Sequence, residues 1–116
     1  MANKTAGTLV ATATTCSANG SVVSTTADLS LAYSSVITAQ VVNGIPQPIM
    51  ACQVTVNISN DQVNWRQYRQ GTASIVPNTV SNFAFDLSEA VLFANVVFSG
   101  NDQDVVVESF IHILNS

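Results

Sequence analysis

Charge is what this chain has least of. Asp, Glu, Lys and Arg make up 9% of its 116 residues, against about a quarter in ordinary soluble domains. Surface charge normally keeps free proteins apart, so a chain that omits it has a weakly solvated surface or one committed to partners. The shortage is sharpest for cations: Lys4, Arg66 and Arg69 are the only ones, and the formal net charge is −4. Nucleic-acid binding requires several phosphates to be neutralised by Lys and Arg, which these cations do not supply. Polybasic attachment to a membrane is excluded on the same ground. No run approaches the ~18 apolar residues of a bilayer-spanning helix. The opening MANKTAGTLVATATTC contains no apolar stretch that could serve as a signal peptide. The expectation is a product made in a cytoplasm that stays there or leaves inside an assembly. Disorder does not account for the missing charge, because disordered segments are charge-rich and poor in hydrophobic residues, whereas 47% of this chain is hydrophobic.

The residues of catalysis and metal binding are scarce too. His112 is the single histidine, with no Ser or Cys nucleophile motif around it, and is expected to be a packed or interfacial imidazole. The carboxylates are Asp28, Asp61, Asp86, Glu89, Asp102, Asp104 and Glu108. Glycosidase chemistry needs two carboxylates flanking one bond, and nothing in the spacing pairs these. Asp102 and Asp104 in GNDQD carry calcium-type oxygens, but so short a loop offers too few ligands for a full shell and reads as a polar hairpin turn. There is no phosphate-cradling glycine loop. Cys16 and Cys52 lack CxxC spacing. They read as reduced, buried thiols, although a disulfide between them stays open. No enzyme activity, cofactor or metal is expected.

What the chain does have is strand-forming sequence. Val, Thr, Ile, Phe and Ser dominate, and no amphipathic helix exceeds a turn or two. Thr8–Thr14 reads as a first strand and Ser21–Thr25 as a short second one. Asp28–Tyr33 alternates, with Leu29, Leu31 and Tyr33 on one face. Val36–Val42 continues with Ile37 and Val41 in phase. The NGIPQP segment breaks the pattern through Asn43-Gly44, Pro46 and Pro48. Ile49–Ser59 is the clearest strand: Cys52, Val54, Val56 and Ile58 face inward, and Gln53, Thr55, Asn57 and Ser59 outward. Val63–Arg69 returns as its hairpin partner. After the irregular QGTASIVPNTVS come Asn82–Leu87, a single turn at Ser88-Glu89-Ala90, Val91–Ser99 and Val105–Leu114. Turn signals roughly every ten residues in an all-β chain indicate a sandwich or barrel. The length fits one domain over residues 1–116, large enough to bury a core without disulfides or metal. The predicted architecture is an antiparallel β-sandwich, jelly-roll-like, of about eight short strands.

The stretch VNISNDQVNW, Val56–Trp65, resembles the V-x-x-S-x-D-G-x-x-W hairpin of discoidin-like and carbohydrate-binding jelly rolls. ANVVFSGNDQDVVVESFIHI, Ala94–Ile113, resembles the penultimate and last strands of those domains. Similar hairpins occur in small phage virion proteins that coat capsids or decorate tails. The chain departs from the pattern at Gln62, where a glycine with positive φ is usual; Asn60 or a different turn type is expected to take over. Within the motif, Asp61 is suited to accept backbone N–H groups across the turn. Trp65 is suited either to cover the end of the core or to stack on a glycan. Trp65, Arg66, Tyr68 and Arg69 form a candidate partner or glycan surface, the bland reading of the two arginines being solvated strand-face residues.

The last strand carries two apolar stripes. Val105, Val107, Ile111 and Ile113 form one; Val106, Phe110 and Leu114 form the other, interrupted by Glu108 and His112. The preceding strand is apolar on both faces as well. A sandwich strand needs only one apolar face, and a second has to be covered by a loop or another subunit. In a chain so poor in charge, another subunit is the expectation, with Val106, Phe110, Leu114 and His112 as the candidate interface. Taken with the resemblance, these features imply a non-enzymatic virion structural protein, a cement or decoration protein on the outer surface of a phage capsid. It would be a homo-oligomer, for which the resemblance implies a trimer, with the major capsid protein as partner. The alternative is a carbohydrate- or receptor-binding module of a phage tail or adhesion apparatus.

Overall fold

Successive side chains of an extended chain point to opposite sides, so the alternations in the sequence translate directly into buried and open faces. The computed structural model describes residues 3–44, 50–88 and 90–115. Its strands are β1 (Asn3–Cys16), β2 (Ser21–Val23), β3 (Ala27–Asp28), β4 (Ala32–Asn43), β5 (Gln53–Ser59), β6 (Arg66–Thr72), β7 (Val80–Leu87), β8 (Phe93–Ser99) and β9 (Val105–Asn115). No helix occurs among the described residues. All strand pairs are antiparallel.

Two sheets face each other. The first has the order β1-β9-β4-β7; the second has the order β2-β8-β5-β6, with β3 also on β8. β2 and β3 lie end to end along one side of β8, so together they fill one strand position. The chain passes repeatedly from one sheet to the other, which makes the sandwich a jelly roll, as the sequence predicts. The inward residues of both sheets meet in a core built mainly of valine. Ile37, Val41, Val54, Val56, Val96 and Phe98 are fully enclosed, each contributing about 1.5–3 kcal/mol through burial. Gly71 of β6 is required by close approach: a Cβ there would lie 2.6 Å from the Phe83 ring of β7, where the two sheets meet at one flank.

Buried polar groups fasten the ends of the core. Asn101, with no exposed surface, donates from Nδ2 to the carbonyls of Cys16, Ser17 and Gln103 and accepts from the Cys16 thiol at 3.3 Å. Asn43 Nδ2 donates to the carbonyls of Ser74 and Val76, holding the β6–β7 connection against the end of β4. Both are paired because an unpaired buried amide would cost about 1–3 kcal/mol. Cys16 and Cys52 are free, buried thiols. Burial pushes both upward in pKa, Cys52 to about 12.

The structure departs from the sequence reading in several places. Asp28–Tyr33 is not one strand: Asp28 ends β3, residues 29–31 turn, and Ala32 and Tyr33 open β4. Asp28 Oδ1 accepts the backbone N–H and hydroxyl of Ser30, and Ala32 N–H bonds the Leu29 carbonyl. Short polar side chains offer the backbone such local bonds in place of a ladder, so Leu29 is buried while Leu31 is 84% exposed. β1 is longer than Thr8–Thr14 but irregular, with register shifts between Thr8 and Val10 and between Val10 and Thr14. β5 begins at Gln53 and β6 only at Arg66. Ser59, expected outward, is buried because its hydroxyl accepts the N–H groups of Asp61 and Gln62. Gln62 itself takes the left-handed conformation, at φ 63°, so neither Asn60 nor a different turn substitutes for the missing glycine. At the turn after β7, Val91 N–H bonds the Ser88 carbonyl. Glu89 and Ile45–Ile49, which includes Pro46 and Pro48, lie outside the described residues.

Candidate functional site

The outer face of the first sheet gathers the second stripe of β9. Register places Val106 beside Val42 of β4, and Val42 beside Val80 of β7; Phe110 lies beside Thr38 and then Ala84. Glu108 lies in line with Gln40 and Asn82, and His112 with Val36 and Asp86. Leu114 stands between Lys4 of β1 and Ser34 of β4. All four candidate interface residues, Val106, Phe110, His112 and Leu114, thus come together on one face. Val106 and Val80 are 38% and 49% exposed, Phe110 and Leu114 are half-buried, and His112 is exposed. Two shallow hollows shape this face. One, of about 410 Å³, runs past Thr38, Gln40, Asn82, Glu108 and Phe110. The other, of about 340 Å³, runs past Lys4, Val36, His112 and Leu114. Valines, a phenylalanine, amides and hydroxyls in such rows provide area for a flat contact. Among the described residues no three His, Cys, Asp or Glu side chains converge as a metal site.

The β5–β6 hairpin carries the other candidates, Arg66 beside its turn and Arg69 on the Tyr68 ring. Asp61 organises the turn: its carboxylate accepts the N–H groups of Val63 and Asn64 at 2.9 Å, the Asn64 amide at 2.9 Å and the Ser59 hydroxyl at 3.0 Å. These donors, led by the Asn64 and Val63 backbone, hold the carboxyl well below the usual carboxylate range. A hollow of about 270 Å³ is lined by Ile58, Ser59, Asn60, Asp61, Asn64 and Arg66; Trp65, Tyr68 and Arg69 are not in its lining. Trp65 is half-buried just before β6 and outside the core cluster of the described residues. Tyr68 stands where the β5–β6 register shifts and packs on the core. The exposed Arg69 guanidinium sits 4.4 Å from the Tyr68 ring centroid, a cation–π contact on a ring whose other side is committed to packing.

On the outer face of the second sheet, the second apolar stripe read in β8 leaves Phe93 and Val97 half-buried while Val91 is buried, and the amides beside it went unread in the sequence. Gln70 Nε2 donates to Gln53 Oε1 at 2.7 Å and to Thr55 Oγ1 at 3.2 Å. Asn95, Asn57 and Gln67 form a row across β8, β5 and β6. Asn95 is 8% exposed, and its Oδ1 is the one buried side-chain polar atom among the described residues without a hydrogen-bond partner. The outward phase Gln53-Thr55-Asn57 was the available signal. The aspartates of GNDQD are structural: Asp102 Oδ1 accepts Met50 N–H and Asp104 Oδ1 accepts Ala18 N–H.

No family model matches this chain and no curated protein matches it. Solved structures do. The PBSX exported protein XepA superposes with a TM-score of 0.66 at 10% identity, over 97% of this chain and 37% of XepA. A chain of the infectious bursal disease virus T13 particle gives a TM-score of 0.63 at 12% identity, over 97% of this chain and 31% of the viral one. The SPBc2 prophage-derived protein YomS gives 0.53 at 10% identity, with 99% and 96% coverage. This chain therefore spans about a third of the viral and XepA chains but nearly all of YomS. At such identities the likeness establishes a common fold: an antiparallel β-sandwich of a kind found in a virus particle, in an exported protein and in a prophage-derived protein.

Proposed function

We propose that this chain is a non-enzymatic virion structural protein, made in the cytoplasm of a bacterial host and bound to the outer surface of a phage capsid as a homo-oligomeric cement or decoration protein. The observation that carries this reading is the outer face of the first sheet. Rows of Val106, Val42 and Val80, with Phe110 and Leu114, cover a face that a monomer would leave in water, in a chain with little charge to solvate it. Mechanistically, such a face adds buried area across junctions of the shell, with the major capsid protein or a second copy as the other side. The three-fold order comes from the resemblance alone. The fold shared with a virus-particle chain, an exported protein and a prophage-derived protein supports the reading. The test is co-purification with intact virions: the protein should band with full particles at a copy number fixed by capsid symmetry, and absence from purified particles would refute it.

A second reading, a carbohydrate- or receptor-binding module, is favoured by the amide row of the second sheet and by its unpartnered Asn95 oxygen. Retardation on a sugar matrix, abolished by Asn57→Ala, would move the assignment there.

A further inference from the structure

The four edges of the two sheets are not alike. A free edge presents unpaired N–H and C=O groups, and natural sheets blunt it with bulges, breaks, charges or proline. β1 is bent by two register shifts, holds Ala13 at φ 64°, carries Lys4, and has its Leu9 carbonyl taken by Thr25 N–H. The β2/β3 edge is broken into pieces of three and two residues. β6 is interrupted at Tyr68 and carries Arg66 and Arg69. β7 has none of these devices. Its eight residues, VSNFAFDL, pair with β4 without a shift and contain no proline, no glycine and one charge, Asp86. Among the described residues, no loop or side chain hydrogen-bonds its free backbone edge; the nearest attachment, from Ser74 N–H, goes to the Ser81 hydroxyl.

We infer that the β7 edge pairs with β7 of a second copy of this chain, antiparallel about a two-fold axis through Ala84, joining two first sheets into one. The sequence of the strand selects both the occupant and the register. Residues opposite each other in an antiparallel pair share a face, so the axis passes through a residue of β7. Through Ala84, Phe83 lies opposite Phe85 of the second copy, and Phe85 opposite its Phe83. Both rings are half-buried, parallel within their own chain and 6.1 Å apart, so two aromatic pairs form on the inner side. On the outer side each Asn82 amide meets the Asp86 carboxylate of the other copy, which supplies the sole charge with a donor. Moving the axis to Phe83 sets Asp86 against Val80, to Phe85 sets it against Ala84, and to Asp86 sets two like charges together. A two-fold contact of identical patches closes on itself and leaves no growing filament. It builds a dimer, or joins two trimers, and does not by itself build a trimer.

The test uses the full chain. Residues opposite across such a pair have Cα atoms about 4.5–5.5 Å apart, within the range of a disulfide of about 4.4–6.8 Å. Ala84→Cys oxidised with copper-phenanthroline should convert most of the protein to a covalent dimer, while Asn82→Cys, opposite residue 86, should not cross-link to itself. Ala84→Lys places two ammonium groups on the axis, at an exposed outward position that tolerates a long side chain. It should halve the mass measured by sedimentation while the β signal of circular dichroism is unchanged. A wild-type chain of single-copy mass, an Ala84→Lys protein that keeps its dimer mass, or equal cross-linking at residue 82 would each overturn the inference. Capture of the shell protein by Ala84→Cys on virions, without self-cross-linking, would overturn it too, by assigning the edge to another chain's strand. Because Ala84 also lies in the Phe110 row of the outer face, the Ala84→Cys self-cross-link is the arm specific to the edge, and the outer-face reading is judged separately by virion binding of Phe110→Ser, which leaves β7 unaltered.

Discussion

The two outer faces of this sandwich are made by the same alternation and differ in what they alternate with. Behind both lies the same valine-rich core. On the first sheet the outward positions of β4, β7 and β9 include Val42, Val80, Val106, Phe110 and Leu114; on the second, Val23, Phe93 and Val97 share the outer side with a larger set of amides and hydroxyls, Gln53, Thr55, Asn57, Gln67, Gln70 and Asn95. Inward residues decide that the chain folds, and any jelly roll would choose similar ones. Outward residues are free of that demand, so the contrast between the faces carries the functional information. An apolar face suits a dry contact with another protein surface. An amide face suits water or a hydroxyl-rich ligand, because amides both donate and accept.

The largest expected effect ignores the contrast and defines its baseline. Val56→Asp puts an unpaired carboxylate at a fully enclosed position and should cost about 5 kcal/mol or more, comparable with the whole stability of a small domain. The protein should be insoluble or lack a cooperative melt; an unchanged melting curve would remove the assignment of the inner face. The next effect separates the faces. Phe110→Ser should leave the fold intact but weaken assembly by about 2 kcal/mol or more per site, as for a truncated aromatic anchor. The matching change on the other sheet, Gln70→Ser, should change assembly by less than about 0.5 kcal/mol. Light scattering and virion binding read both. Equal effects would abolish the distinction; aggregation of the Phe110 variant would put that ring in the subunit's own core.

How much of this was legible depended on period. The inward stripes Val54-Val56 and Val105-Val107-Ile111 were visible because a two-residue repeat with one apolar phase is the mark of a strand with one face buried. The second stripe of β9 was visible for the same reason, and the structure places its three residues, with His112, on one face. Asp28–Tyr33 misled because Leu29, Leu31 and Tyr33 keep the right spacing while Asp28 and Ser30 settle the backbone locally, an effect that periodicity does not register. The surface at Trp65, Arg66, Tyr68 and Arg69 was read from the hairpin motif; the structure sets Arg69 on the Tyr68 ring and Arg66 beside the Asp61 turn, contacts that depend on the register shift and that no local pattern specifies. Of the amide row of Asn95, Asn57 and Gln67 only the β5 member was legible, in the outward phase Gln53-Thr55-Asn57, because the row runs across three strands whose register no local pattern specifies. The free edge of β7 was equally hidden, since being an edge is a property of topology.

A third experiment asks whether the polar face is optimised for stability. Asn95 keeps an acceptor buried without a partner, and such an atom forfeits its hydration without return. Asn95→Val fills a similar volume with a residue suited to strands and should raise stability by about 1 kcal/mol, seen as a higher denaturation midpoint with an unchanged slope. A lower midpoint would show that the oxygen is satisfied, for example by an enclosed water, and that the polar face is more finished than the contrast implies.

The smallest effect concerns how the polar sheet holds its hairpin. Asp61 is depressed in the folded state by the backbone N–H groups of Asn64 and Val63, the Asn64 amide and the Ser59 hydroxyl; unfolded, it titrates near the ordinary value of about 4. A folded-state pKa below the unfolded one stabilises the fold wherever the group is ionised in both states, so the contribution is complete above about pH 5. It declines as the pH falls through 4 toward the folded value, because the unfolded chain takes up the proton first. Asp28 is also depressed, by the Ser30 backbone N–H and hydroxyl, and adds a slope of the same sign in the same window. Asp61→Asn retains the shape and removes the titrating group, so its melting temperature should lie below that of the parent at pH 6 and converge on it toward pH 2. Asp61→Asn with Asp28→Asn should flatten the remaining acid slope further. Both carboxylates are exposed and screened by solvent, so the shifts will be small, and the convergence with pH rather than its size is the diagnostic. Parallel melting curves for parent and Asp61→Asn from pH 6 to pH 2 would mean that the turn is held by the Ser59 hydroxyl and the left-handed Gln62 without help from the charge.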